Sequence, residues 1–469
     1  MRQPCFILFV VLLGACKVIA PYHPGPHRID NSLYRDTTRA GNQPVSDTTT
    51  IALLPWRQMF TDTVLQNLIQ EGIDNNLDLK AAVARIREAQ ANLRQSKDAL
   101  LPSLNAGASV TLQKSPFTTQ NAPGGTSNIS QSVEVFLSSA WEVDLWGKLR
   151  SAQRAELALL LESEANRRAV QTQLVSNIAS NYYQLLAYDQ ELKITIATVN
   201  NRKEDVTVTQ ALKEGDVLTG AAVMQSQANV YSAAVTIPDI RNNIRQTENA
   251  LCILLARSPG ALHRDSLDDQ QPDTTLRTGV PAQLLSNRPD VQEAEFQLRN
   301  SGELVNVART FFYPSLTITA QGGLGNASNL GQIFSLPTLF GNIMAGLTQP
   351  IFNNGLNRQR LELALGQQQE SLYNFQKSLL TAGQEVSNAL YSYKASSDKV
   401  IIRSKEIYFL EKAVEFTREL MKYNYNTNYT DVLTSEQNLL AAQLNGVSDK
   451  LQRLQAVVSL YTSLGGGWR

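Results

Sequence analysis

The sequence contains no long apolar run. Its most apolar stretch, Phe6 to Leu13, is only eight residues, where a membrane-spanning helix needs about 20. Histidine and cysteine are scarce, with three of each. His23, His27 and His263 have no metal-ligand spacing, and no nucleophile motif occurs. Gly322-Gly323-Leu324-Gly325 lacks the Gly-Lys-Ser/Thr ending of a phosphate loop. The residues therefore argue against an enzyme, and they call for no cofactor. Neither sign of charge is in excess, with 42 basic and 42 acidic residues. No basic excess argues for a nucleic-acid partner, and no acidic excess argues for a solvating tail. Slight overall polarity does not exclude a transmembrane β-barrel, because only every second strand residue of such a barrel faces lipid.

What is present begins with an export signal. Arg2, the short apolar stretch and Leu13-Gly14-Ala15-Cys16 have the layout of a secretory leader with a small-residue exit. Leu13-Gly14-Ala15-Cys16 resembles the bacterial lipobox, in which the cysteine becomes the lipidated N-terminus; an ordinary leader cleaved nearby is the alternative. Stable anchoring takes more than one acyl chain. Cys5 lies inside the leader and Cys252 in a helical pattern, which suits a small buried apolar residue. No disulfide pair then remains after processing, despite an oxidising export route.

Beyond an extended arm the chain repeats itself. Leu101-Pro102-Ser103-Leu104 and Tyr313-Pro314-Ser315-Leu316 each close a helix-like stretch and open an alternating one, at an offset of 212 (314 − 102). Leu104, Ala106, Ala108, Val110 and Leu112 alternate with polar residues, and so do Val133, Val135 and Leu137. The second half repeats this with Leu316, Ile318 and Ala320, then Ile343, Ala345 and Leu347. Period two predicts strands with one apolar face. Each hairpin is followed by a long stretch with apolar residues every seven positions. Ile178, Leu185, Leu192, Val199 and Val206 align with Val386, Tyr393, Val400, Ile407 and Val414 at an offset of 208. A sustained heptad predicts helices in a left-handed supercoil, and about 66 residues of helix extend roughly 100 Å.

The organisation expected from these patterns is as follows. Residues 1–15 form the signal and 16–55 the lipidated extended arm. Residues 56–265 form the first repeat, with a hairpin at 102–146, a long helix at 147–213 and a return helix at 217–257. Residues 266–286 are a linker. Residues 287–469 form the second repeat, with a helix at 288–312, a hairpin at 314–351, a long helix at 355–423 and a return helix at 429–464. Pro238 is expected to bend the first return helix. The fold class is all-α with a membrane β-barrel part. Four strands cannot close alone, since outer-membrane barrels need at least eight and tolerate no open edge in lipid. Two copies give eight strands and three give twelve, wide enough for a pore.

The residues also resemble a known family, the outer-membrane factors of tripartite efflux systems. These are the TolC-like channels, and the likeness is strongest to their lipoprotein branch, the NodT-type RND efflux lipoproteins. Carrying the resemblance are the Cys16 lipobox, Trp141-Glu142-Val143-Asp144-Leu145-Trp146-Gly147-Lys148, Arg288-Pro289-Asp290-Val291 and Tyr313-Pro314-Ser315-Leu316. Pro350-Ile351-Phe352, Asp431-Val432-Leu433 and the closing Leu464-Gly465-Gly466-Gly467-Trp468 add to it. The resemblance implies a homotrimer whose long helices form an α-barrel and whose strands share one 12-stranded β-barrel. It also implies a palmitate-bearing Cys16 in outer-membrane lipid and a body extending into the periplasm. The implied partners are a periplasmic adaptor (membrane fusion) protein and an inner-membrane pump, and the implied role is passive export of drugs or metals. A type I protein secretion channel and a non-conducting coiled-coil lipoprotein are the alternatives.

The resemblance also implies a gate. Asp431 falls on an acidic position of the family's periplasmic aperture, where three copies favour cations. Helix capping is the competing role of an Asp at a helix start. A second acidic position of the family falls on Thr434. Tyr423 and Tyr425 stand either as gate contacts or as turn packing. Trp141 and Trp146 belong to an aromatic girdle or to the strand–helix junction. The sequence departs from the family pattern at Ile19-Ala20-Pro21-Tyr22. It departs again at the second helix turn, Asn424 to Asn428, which lacks the usual glycine but contains Asn, a residue that tolerates the left-handed conformation.

Overall fold

The computed structural model describes residues 50–114, 129–270, 284–327, 339–423 and 429–469. The signal, most of the arm including Cys16, both hairpin loops and Tyr425 lie outside these residues. In chain order the elements are α1 (Trp56–Met59), α2 (Thr63–Asn75), α3 (Leu77–Asp98), β1 (Ser103–Lys114) and β2 (Ile129–Val143). Then come α4 (Lys148–Glu214), α5 (Gly220–Ala234), α6 (Thr236–Leu254), α7 (Leu284–Asn287) and α8 (Pro289–Thr310). β3 (Ser315–Ala327), β4 (Leu339–Thr348), α9 (Leu356–Tyr423) and α10 (Tyr429–Ser463) complete the order. No described helix is long and apolar enough to cross a membrane. The chain divides into two compact units. Of the described residues, one takes those within 85–163 and 294–375 and the other those within 50–84, 164–293 and 376–469.

The first unit is built on an antiparallel sheet ordered β1-β2-β3-β4. The register sets Ala106 opposite Leu137, Leu137 opposite Gly322, and Ala320 opposite Ile343. Cross-strand partners share a face, so the apolar members of all four strands fall together. Leu104, Leu112, Leu137, Leu339, Ile343 and Leu347 are all more than half exposed. The reverse face carries Ser103, Asn105, Ser138, Thr317 and Gln321. Phe136 and Phe340 are its aromatic exceptions; Phe136 fits because its two cross-strand partners are Gly107 and Gly323, and Phe340 lies opposite Gly323 on the other side. A Cβ on either glycine would run into Phe136. Exposed leucine and isoleucine over a whole sheet face match a face turned to lipid. Within one chain β1 and β4 are open edges.

The strand–helix junctions are pinned by the two tryptophans. Trp141 Nε1 donates to Leu100 O at 2.9 Å, and Trp146 Nε1 donates to Pro314 O at 2.7 Å. Both indoles thus tie down the segment that enters a strand, and the Trp146 ring packs on Tyr313 at 5.1 Å. The Asp144 carboxylate accepts from Leu149 N and Arg150 N, supplying partners to donors that a helix start leaves free. Arg154 grips the buried Glu303 through two bonds of 2.9 Å, joining α4 to α8.

The second unit is helical. Ile178, Tyr182, Leu185 and Leu186 of α4 are fully buried, as are Leu65 and Ile69 of α2 and Leu251 of α6. Asp62 caps α2 by accepting from Val64 N and Leu65 N, and its other oxygen accepts from Tyr182 Oη at 2.7 Å. Cys252 is buried and unpaired, its thiol 3.6 Å from Gly260 O.

α4 has 67 residues and α9 has 68, each about 100 Å long. The first turn lies after Glu214, with Asp216 at φ 58, and Thr219 caps α5 through Ala222 N. In place of one return helix there are two, α5 and α6, separated at Val235. Pro238 has no N–H to give Ala234 O and its ring crowds that carbonyl. The interruption therefore falls one turn before the proline, and Pro238 then sits in the first turn of α6, where the missing donor costs nothing.

Candidate functional site: the helix turns

The four long segments of the second unit lie in a definite order near their turns. α5 packs on α4 through Val230 and Ala233 against Val199, and Arg202 Nη1 donates to Asn229 O at 2.8 Å. α4 meets α10 across a groove of about 240 Å³ lined by Ile194, Thr198, Glu436 and Leu440, to which α9 adds Val414 and Arg418. α10 packs on α9 where Gly446 lies against Ile407 and Arg403 Nε reaches the buried Asp449 at 3.1 Å. The order is α5–α4–α10–α9.

An ionic brace crosses three of these helices. Arg418 of α9 donates to Glu436 of α10 at 2.7 and 3.0 Å, and to Asp205 of α4 at 3.3 Å. The two carboxylate side chains are 10–11% exposed. Burial, followed by the neighbouring Asp205 charge, pushes the Glu436 carboxyl up to about 7, although Arg418 opposes the shift. The brace was not among the residues singled out in the sequence. The available signal was periodic: Arg418 sits between Val414 and Met421, and Glu436 between Leu433 and Leu440, at the three- and four-residue steps that point inward.

Of the residues singled out for a gate, Asp431 and Thr434 lie on the first turns of α10, and both are exposed. Asp431 is well placed for the positive end of the helix dipole. Thr434 Oγ1 donates back to Thr430 O at 2.8 Å, and Ser435 Oγ donates to Asp431 O at 2.8 Å. No described contact joins Asp431 or Thr434 to another residue of the expected gate. Tyr423 is the last residue of α9.

A sheet with one apolar and one polar face and two open edges, followed by paired 100 Å helices, defines a class: a barrel-and-helix channel assembled from several chains. A family model described as "Outer membrane efflux protein" matches residues 68–257 and 280–466, and the chain belongs to that family. It is 30% identical over 470 residues to the pyoverdine export outer membrane protein OpmQ of Pseudomonas aeruginosa, covering 98% of this chain and 96% of the relative. It is likewise 30% identical over 422 residues to the cation efflux system protein CusC of Escherichia coli, covering 88% of each. The outer-membrane channel OprN has the same fold, with a TM-score of 0.85 at 24% identity over 97% of this chain and 100% of OprN. The protein is therefore an outer-membrane channel of an efflux system, and the family is one of ducts and not of enzymes. Channels of this family are homotrimers. Four strands from each of three chains make twelve, which closes the edges of β1 and β4 in a shared barrel.

Proposed function

We propose that this channel is a passive duct for small molecules, fed by an inner-membrane pump through a periplasmic adaptor that docks on the helix turns. The observation that carries this reading is the sheet. Its reverse face carries polar residues on all four strands, among them Asn105, Ser138, Gln321 and Asn342 in one cross-strand row, so the closed barrel has a wetted lumen. The cargoes named for the relatives above, a pyoverdine and cations, are small, and that favours a small-molecule duct over a protein secretion channel. Cys16 carries the lipid that holds the chain to the membrane; [3H]palmitate labelling is expected for the natural sequence and is lost on Cys16→Ala.

At the pump end, Asp431 is the aperture residue and Thr434 thins the acidic ring by one position. Tyr423 and Tyr425 flank the same constriction. Single-channel recording in planar bilayers tests this. The purified trimer is expected to conduct with a preference for cations, because a ring of carboxylates concentrates them. Asp431→Ala is expected to lower the cation-to-anion permeability ratio several-fold and leave trimer assembly intact. A correctly assembled trimer that never conducts, with or without Asp431, would sink the duct reading in favour of a structural tether. Unchanged selectivity in Asp431→Ala would return that residue to plain helix stabilisation.

A further inference from the structure

Two phenylalanines stand on the polar face of the sheet, in the cross-strand row Gly107–Phe136–Gly323–Phe340. The neighbouring row on that face is Asn105–Ser138–Gln321–Asn342. Glycines make room for both rings. A Cβ on Gly107 would lie 2.7 Å from Phe136 Cζ and 2.9 Å from its Cε2. A Cβ on Gly325 would lie 3.0 Å from Phe340 Cε1. Phe136 therefore leans over the bare backbone of β1, and Phe340 over that of β3. Both rings are half-buried, with one side against a glycine and the other open. A phenylalanine meant for lipid belongs on the opposite face, with Leu137 and Leu339.

The charge beside the rings has one sign. The four strands hold three ionisable residues, Lys114, Glu134 and Glu142. Lys114 ends β1 in the row of the lipid face, opposite Ile129. Glu142 is bound to Lys148 Nζ at 2.9 Å. Glu134 stands two residues from Phe136 on the same face of β2. β3 bulges beside it, since Val135 pairs with Leu324 but Val133 with Ala327. Such a bulge re-aims side chains, and here it brings Gly325 under both groups. The same Cβ position on Gly325 lies 3.4 Å from Glu134 Cγ, so the carboxylate arm and the Phe340 ring flank one glycine.

We propose that Phe136, Phe340 and Glu134 form a transit site for aromatic cations in the barrel lumen. A ring face stacks with a second ring and attracts a cation, and the carboxylate adds its charge at the same place. Three copies give the barrel six such rings and three such carboxylates. A wall of amides and hydroxyls alone offers an aromatic cargo nothing to rest on, while a continuous apolar lining would dewet the pore. Rings spaced by glycines beside a polar row avoid both.

The site rests on the reading of the polar face as the lumen of a conducting barrel. It is tested on the full-length trimer in planar bilayers bathed in potassium chloride, with benzyltrimethylammonium or tetramethylammonium added. The two ions carry the same charge, so a difference between them reports the aromatic group and not the ring of Asp431. Benzyltrimethylammonium is expected to reduce the current at a concentration several-fold below that of tetramethylammonium. Phe136→Leu with Phe340→Leu keeps apolar bulk but removes the rings, and is expected to abolish most of that difference. Glu134→Gln is expected to raise the blocking concentration of benzyltrimethylammonium several-fold, and it decides the matter should the leucine pair fail to assemble. Equal potency of the two ions in a conducting natural trimer overturns the site and leaves the duct standing. A preference that survives the leucine pair, or a block that Glu134→Gln leaves unchanged, overturns it as well. A trimer that never conducts removes the lumen and the site together.

Discussion

Arg418→Ala is expected to destabilise the helix turns by about 3 kcal/mol, the lower part of the range for breaking a buried ion pair. The lower part applies because the Arg418 side chain is itself 31% exposed. The cost comes less from the lost attraction than from what stays behind. Asp205 and Glu436 remain side by side in a site from which water is largely excluded, with no cation to offset them. The pH dependence identifies the cause. The Glu436 carboxyl stands near 7 in the folded chain against an ordinary value of 4.5. A raised acid holds its proton in the folded state where the unfolded chain has released it. Its contribution to stability is therefore full below about 4.5 and is lost as pH rises toward 7. Arg418 is the one group holding that value down, so its removal extends the loss above 7. Helical melts of the natural protein and of Arg418→Ala at pH 5 and pH 8 should separate more at pH 8. Glu436→Gln should shrink the difference. Equal melts at both pH values would remove the brace from any account of the turns.

Gly465→Ala is expected to cost about 3 kcal/mol or more by a different route. Gly465 has φ +93, a conformation that costs an L-residue roughly 1–2 kcal/mol. A Cβ there would also overlap the backbone of Asn287 and Arg288, which no side-chain rotation relieves. The C-terminal segment would have to lift away. It would give up the bond from Trp468 Nε1 to Asn287 O at 3.1 Å and the one from Arg288 Nη1 to Ser463 O at 3.0 Å, each worth about 1 kcal/mol. The stacking of Arg168 on Trp468 at 5.0 Å would go with them. Gly366 is the control. It lies exposed inside α9 with open space where a Cβ would go, so Gly366→Ala should stabilise by up to about 1 kcal/mol through helix propensity. Denaturant titration of the two variants should move the midpoint in opposite directions. A midpoint for Gly465→Ala within error of the natural protein would show that the closing segment is not docked as described.

The two motifs behind these predictions differ in how readable they were. The closing Leu-Gly-Gly-Gly-Trp run stood out in the sequence, but nothing local said that Gly465 faces the Asn287 backbone. Arg288 stood out as part of Arg-Pro-Asp-Val, while its partner Glu385 lies 97 residues on and carries no signature. Pro238 announced a bend, and the actual break at Val235 follows from the carbonyl that the proline obstructs. Asp431 was legible only through family resemblance, because an exposed acid on the first turn of a helix has the same local pattern whether or not it lines an aperture.

Sequence alone determined the strands, the two helices of nearly 70 residues and the duplication. Periods of two and seven are imposed by the geometry of a single strand or a single helix pair, and they survive in the order of residues. The tertiary structure decided which charges meet and which faces stay open. Asp205 and Arg418 are 213 residues apart, and only the order α5–α4–α10–α9 brings them together. The same order buries Val223 and Val230 of α5 and Val414 of α9, while Met224 and Tyr231 of α5 and Phe409 and Phe416 of α9 stay exposed. A helix records in its sequence that it has two apolar stripes. Which stripe is buried within the chain depends on the position of its neighbours.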